Sequence, residues 1–245
     1  MTAQARAIPP RYRWRWPLRG FRQCASLFAL LTLANSSLAA ALLEASTVNF
    51  PEPEPDVVGE ARDLDTGETV YLEYYYCTDD ALKCSVFYLR PDEKVIARKE
   101  LDYQPSAKAP KLTFQDFRID REVKIERADP ETVVDAGFDN FVRLQWNDLE
   151  EGEAVKFPFR MVGRDELIKM RASRQQQCEQ DNLCLQIRLD SWLLGNLIDP
   201  IQLTYDKNSQ RLLRFKGISN LRNDEGRTQK VDIIYRYPEQ DASAN

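Results

Sequence analysis

The chain contains no histidine among its 245 residues. That removes the Ser-His and Cys-His nucleophile pairs, histidine metal sites and imidazole proton shuttles together. Any catalysis would have to run on carboxylates, lysine, tyrosine or cysteine. Adjacent or near carboxylates are plentiful, as at Asp79-Asp80, Asp139 with Asp148, Glu150-Glu151 and Asp224-Glu225, in a chain with 39 acids. A glycosidase needs two such groups at a defined separation, but abundance at this level reads first as a solvated acidic surface. Asp63-Leu64-Asp65-Thr66-Gly67 begins like a calcium loop and lacks the later ligands. Ser106-Ala107-Lys108 lacks the S-x-x-K spacing of a serine-lysine pair. No G-x-x-x-x-G-K-[ST], G-x-G-x-x-G or G-x-S-x-G occurs, so nucleotide and α/β-hydrolase chemistry fall away. No cofactor or resident metal is implied, and a non-catalytic protein is expected.

Cysteine carries the clearest signal. Cys24 lies in the N-terminal segment, and the other four form two close pairs, Cys77 with Cys84 and Cys178 with Cys184. Four cysteines allow three connectivities. Pairing within each couple is favoured, because each bounds a short polar loop between strand-like segments. On the loop-entropy model, closing a ring of about eight residues stabilises by about 2.5 kcal/mol. A four-thiolate zinc site is the alternative, but its knuckles are normally C-x2-4-C, narrower than the spacings here. Disulfides in turn imply an oxidising compartment.

The N-terminus agrees with export. Residues 1–39 hold six arginines and no acid, leaving 28 of the 34 basic residues against all 39 acids, a charge of −11 on the remainder. A basic stretch, an apolar core Leu27-Phe28-Ala29-Leu30-Leu31-Thr32-Leu33 and small residues at Ser37-Leu38-Ala39 make up a signal peptide over residues 1–39. The alternative is an uncleaved membrane anchor over 24–43, just long enough to span a bilayer. Both place the body outside the cytoplasm, periplasmic or secreted, or held at the inner membrane facing the periplasm. Membrane contact is expected only through this segment. Residues 40–56, with Phe50-Pro51-Glu52-Pro53-Glu54-Pro55, read as an extended linker. The acidic remainder disfavours nucleic acid as a partner.

From Val57 the pattern is period two. Val70 to Tyr76 is an aromatic, β-prone run, and Leu183, Leu185, Ile187 and Leu189 alternate against Cys184, Gln186, Arg188 and Asp190. Short turns such as Asp63 to Gly67 and Asp206 to Ser209 join neighbouring strands. One amphipathic helix interrupts the series: Phe138, Phe141, Val142, Trp146 and Leu149 share a face, Asp135 or Asp139 supplies a cap and Gly152 ends it. Ser191 to Ile198, containing Trp192, reads as a second, short apolar helix. The expected fold is mainly β, a single domain over 57–238 with a disordered tail at 239–245. Its sheet is antiparallel, with about eleven strands, strongly curved around the helices or closed towards an open barrel.

Gly59 to Gly67, the run Tyr205-Asp206 to Leu221, and Asp135-Ala136-Gly137-Phe138-Asp139 between them resemble a family of uncharacterised bacterial exported proteins. No activity is attached to that family, so the resemblance implies no catalytic residue; its motifs look like turns and strand starts. In architecture alone the element pattern is similar to the curved half-barrels of periplasmic lipoprotein carriers. That likeness implies an apolar concave face, with Trp146 and Trp192 as candidate lining residues, holding a lipid or other apolar small molecule. The alternative is an envelope scaffold or assembly factor acting by contact with a protein partner. A carboxylate-based hydrolase comes third.

Overall fold

The alternating segments pair almost entirely with their neighbours in sequence. β1 (Val57–Asp63), β2 (Thr69–Cys77), β3 (Lys83–Leu89), β4 (Val95–Asp102), β5 (Lys111–Asp116) and β6 (Arg121–Ile125) form one antiparallel ladder. β8 (Val155–Arg160), β9 (Ile168–Arg174), β10 (Asn182–Leu189), β11 (Ile201–Asp206), β12 (Leu212–Ile218) and β13 (Lys230–Arg236) form another. The two join where β1 pairs with β13, and with the short β7 (Val133–Val134) at one edge they give one open sheet in the order β6-β5-β4-β3-β2-β1-β13-β12-β11-β10-β9-β8-β7. This computed structural model describes residues 54–164, 166–191 and 199–238, all within one compact unit, Ser46–Asn245. The expected signal peptide or anchor, linker residues 40–53, the Trp192 helix and the tail at 239–245 lie outside the described residues.

The sheet has thirteen strands rather than about eleven. One that periodicity could not reveal is β7 (Val133–Val134), since two residues carry no alternation. β7 also departs from the expected antiparallel pattern, because it runs parallel to β8. A parallel pair needs a crossover connection, and the helical segment provides it.

That segment is two helices, not one. α1 (Gly137–Leu144) and α2 (Trp146–Glu151) break at Gln145, whose φ of −106° and ψ of 18° leave the helical region. Phe141, Val142, Trp146 and Leu149 nevertheless all pack in one cluster with the sheet and are buried. Neither Asp135 nor Asp139 is the cap: Ala136 occupies that position with no side-chain hydrogen bond. Gly152 does end α2, in the left-handed conformation at φ 96° that glycine adopts without steric cost.

Two apolar clusters fill the inner face. One is built on β1 to β6 and β13 around Tyr71, Val86, Tyr88, Leu112 and Phe114. The other joins α1 and α2 to β8 to β11 through Phe157, Leu183, Leu185, Leu203 and Tyr205. The sheet bends back on itself between them. Val134 N–H donates to Lys108 O at 2.9 Å and Arg160 Nη1 donates to Arg127 O at 3.4 Å. The β7 to β8 edge thus meets the loops that follow β4 and β6, while the sheet stays open.

Candidate functional site

Strand pairing decides which side chains share the inner face. Across β2 and β3, Glu73 stands opposite Tyr88, and Tyr88 stands opposite Ala97 on β4, so Lys99 sits one inward position further along. Both Glu73 and Lys99 are buried, and so is Asp135, the residue that follows β7. Charges in a protein interior are costly unless paired and hydrogen-bonded. Here the pairing is direct: Lys99 Nζ lies 2.5 Å from Asp135 Oδ2, and Asn220 Nδ2 donates to Asp135 Oδ1. The Lys99 ammonium also lies over the Tyr88 ring, 5.8 Å from its centre.

Glu73 has no such cation in contact. Tyr75 OH donates to its Oε2 at 2.8 Å and Tyr235 OH at 3.3 Å. Burial pushes the Glu73 carboxyl above its ordinary range, and these two hydroxyls with the more distant Lys99 charge only partly offset it. Burial alone would lower the lysine, but the Asp135 carboxylate more than reverses that and Lys99 is held above its ordinary value. The tyrosines Tyr71, Tyr75, Tyr88 and Tyr235 are all raised, first by burial. Tyr71 OH and Ser219 Oγ share a hydrogen bond of 2.8 Å, and Ser219 Oγ accepts the Leu221 N–H. The absence of a side chain at Gly59 is what admits the Tyr235 ring, because a Cβ there would lie 2.9 Å from it.

This polar centre was missed by reasoning from sequence, with one signal that could have found it. Asp135, Ser219 and Asn220 all fall in stretches singled out above, which read as turns and strand starts. In the structure they converge, with Lys99 and Glu73 from unrelated strands, inside the curve of the sheet. Lys99 looks like an ordinary member of a charged strand segment and Glu73 is the single charge in an aromatic run, and only the register turns them inward.

The residues singled out beforehand lie elsewhere. Trp146 is 6% exposed and packs in the second cluster, edge-on to Tyr205 at 5.9 Å, with Nε1 donating to Glu150 Oε2 at 3.2 Å. Trp192 lies outside the described residues. Cys77 pairs with Cys84 and Cys178 with Cys184, the favoured connectivity. The first bridge joins residues directly opposite in the β2–β3 ladder. Two disulfides suggest an oxidising environment.

The carboxylate of the calcium-like stretch is otherwise engaged. Asp63 Oδ1 accepts the backbone N–H groups of Asp65 and Thr66, each at 2.9 Å, which makes the calcium-like stretch the β1–β2 turn. Those bonds hold its carboxyl below the ordinary range. Among the described residues no cluster of three or more acids or cysteines is arranged to hold a metal ion, and no helix is long and apolar enough to cross a membrane.

Among the described residues, two surface grooves stand out. One of about 570 Å³ runs beside the Cys77–Cys84 bridge between Lys83, Glu100, Asp102, Lys111 and Glu126. The other, of about 220 Å³, is lined by Arg90, Asp116, Arg118, Ile119, Arg222 and Asp224. Arg118 there reaches both Asp116 at 2.7 Å and Asp224 at 3.2 Å, and Arg90 meets Asp224 at 2.6 Å. Beside this groove the β5–β6 turn exposes Phe117 and Ile119. No protein-family model, curated protein or solved structure matches the chain.

Proposed function

We propose that this is an exported, non-catalytic protein of the cell envelope, working in the periplasm as a scaffold or assembly factor through contact with a partner protein. The observation that carries the reading is the inner face of the sheet, which the chain fills with its own side chains. α1 and α2 press Phe141, Val142, Trp146 and Leu149 onto it in one half, and the tyrosine and Lys99–Asp135 centre occupies the other. A lipid entering the α1–α2 half would have to displace packed helices. The surface offers a different fit: exposed Phe117 and Ile119 beside a charged groove combine an apolar centre with a polar rim, the composition of protein-contact patches.

Native mass spectrometry of the protein purified from its own host tests this. The expected result is a lipid-free chain in a stoichiometric complex that a Phe117→Ser, Ile119→Ser double variant no longer forms. A co-purified acyl lipid that leaves only on denaturation would overturn the scaffold reading in favour of an apolar-ligand carrier.

A further inference from the structure

The Lys99–Asp135 pair has features that an ordinary internal ion pair does not need. It joins the inner face of β4 to the residue following the edge strand β7, across 36 positions of chain. Asp135 adopts φ 37°, a left-handed backbone conformation that an aspartate enters at some cost. Its N–H donates to Arg160 O at 3.1 Å and the preceding N–H to Lys108 O at 2.9 Å, so the strained residue is pinned from both sides with its carboxyl group aimed at Lys99. Asn220 donates to Oδ1, the oxygen that does not face the lysine.

We propose that Lys99 and Asp135 are joined in the mature protein by an isopeptide bond between Nζ and Cγ, formed spontaneously within the folded core. The step balances without a cofactor or a redox partner. The Lys99 ammonium passes one proton to Asp135 Oδ2, leaving a neutral amine beside a neutral carboxylic acid. The Nζ lone pair then attacks Cγ, and the Asn220 N–H stabilises the negative charge that gathers on Oδ1, as a preorganised donor does for a tetrahedral intermediate. A proton then passes from Nζ to the Oδ2 hydroxyl, two atoms that start in hydrogen-bond contact. The Cγ–Oδ2 bond breaks, one water leaves and the Oδ1 carbonyl is restored.

Burial supplies the driving force. Two ions taken out of water carry a desolvation penalty that their mutual attraction must offset. A neutral amide in the same place carries no charge to desolvate, and the released water gains freedom outside. Holding amine and carboxyl at van der Waals range or closer supplies the proximity that makes amide formation effectively unimolecular.

The test is peptide mapping of the full chain, expressed with export so that both disulfides form. The expected result is a branched tryptic peptide linking the segments around Lys99 and Asp135, lighter than their sum by one water, with no cleavage after Lys99. In a Lys99→Arg variant that still melts cooperatively, both segments are expected as separate peptides of full mass. Folded wild-type protein with both disulfides, full-mass separate peptides and normal cleavage after Lys99 would overturn the proposal, as would a loss of water that maps to any other residue pair.

Discussion

Gly137, the first residue of α1, sets helix propensity and packing against each other. Alanine is the better helix former by about 1 kcal/mol, so local preference alone makes Gly137→Ala stabilising. The surroundings argue the reverse. A Cβ at this position would lie 2.3 Å from Lys108 O, 2.6 Å from the Lys108 carbonyl carbon and 2.7 Å from Pro110 Cδ. Two of these atoms are backbone and cannot rotate away. Lys108 O is moreover the acceptor of the Val134 N–H that ties β7 to the β4–β5 loop. Forcing an extra carbon into packed surroundings typically costs about 1 to 3 kcal/mol. Losing the buried backbone bond adds about 1 kcal/mol. Set against the propensity gain, the net expectation is a loss of about 1 to 3 kcal/mol. Urea denaturation followed by circular dichroism reads it directly: the midpoint falls while the slope stays unchanged, as for a two-state loss of native stability. A Gly137→Ala chain with an unmoved or raised midpoint would refute the close approach of α1 to the β4–β5 loop.

Leu149 on α2 is fully buried, so Leu149→Ala is expected to cost about 3 kcal/mol in the same assay through lost transfer energy and the cavity left behind. Replacing Cys77 and Cys84 together by serine removes a staple across a hairpin that already pairs, and should cost about 2.5 kcal/mol or less. The Asp232 carboxyl is held below its ordinary 3.8 by its hydrogen-bonded ion pair with Arg214, burial opposing. A carboxyl depressed in the folded state contributes stability that is present above the unfolded value and lost as pH falls through the folded one. Asp232→Asn should therefore cost about 0.5 kcal/mol at neutral pH, the scale of a partly exposed pair, and the difference from wild type should vanish in acid and shrink in high salt.

What could be read from the sequence follows from the range of the interaction involved. Strands of six to nine residues with alternating faces, such as β2 and β10, declare themselves because the pattern lies within the segment. The two disulfides were legible for the same reason, since each closes a short loop. β7 was not, as its two residues form a strand only because β8 lies alongside. The helix break was not legible either: the apolar face of α1 continues into α2, and nothing in the pattern requires Gln145 to leave the helical region. The polar centre depends on contacts between positions as far apart as Tyr71 and Ser219, 148 residues away. Such contacts exist only once strand register is set, and a buried Lys99 looks in sequence like any solvated lysine.

The pairing of β1 with β13 has a consequence for how the protein reaches its folded state. Every other antiparallel contact in the sheet joins strands adjacent in the chain, so each six-strand ladder can assemble locally, with its own disulfide inside it. The central seam is different, because it unites the earliest strand with the latest and must wait for the whole polypeptide. Closing a loop of this length is the slow, entropically costly event in folding a sheet. A chain threaded outward from its N-terminus would therefore arrive as two preformed wings, and the last hairpin to emerge would draw them together. Until that moment Tyr235 is not in place beside Gly59, and Glu73 lacks one of its two hydroxyl donors. Arrival of β13 is thus what completes the polar interior.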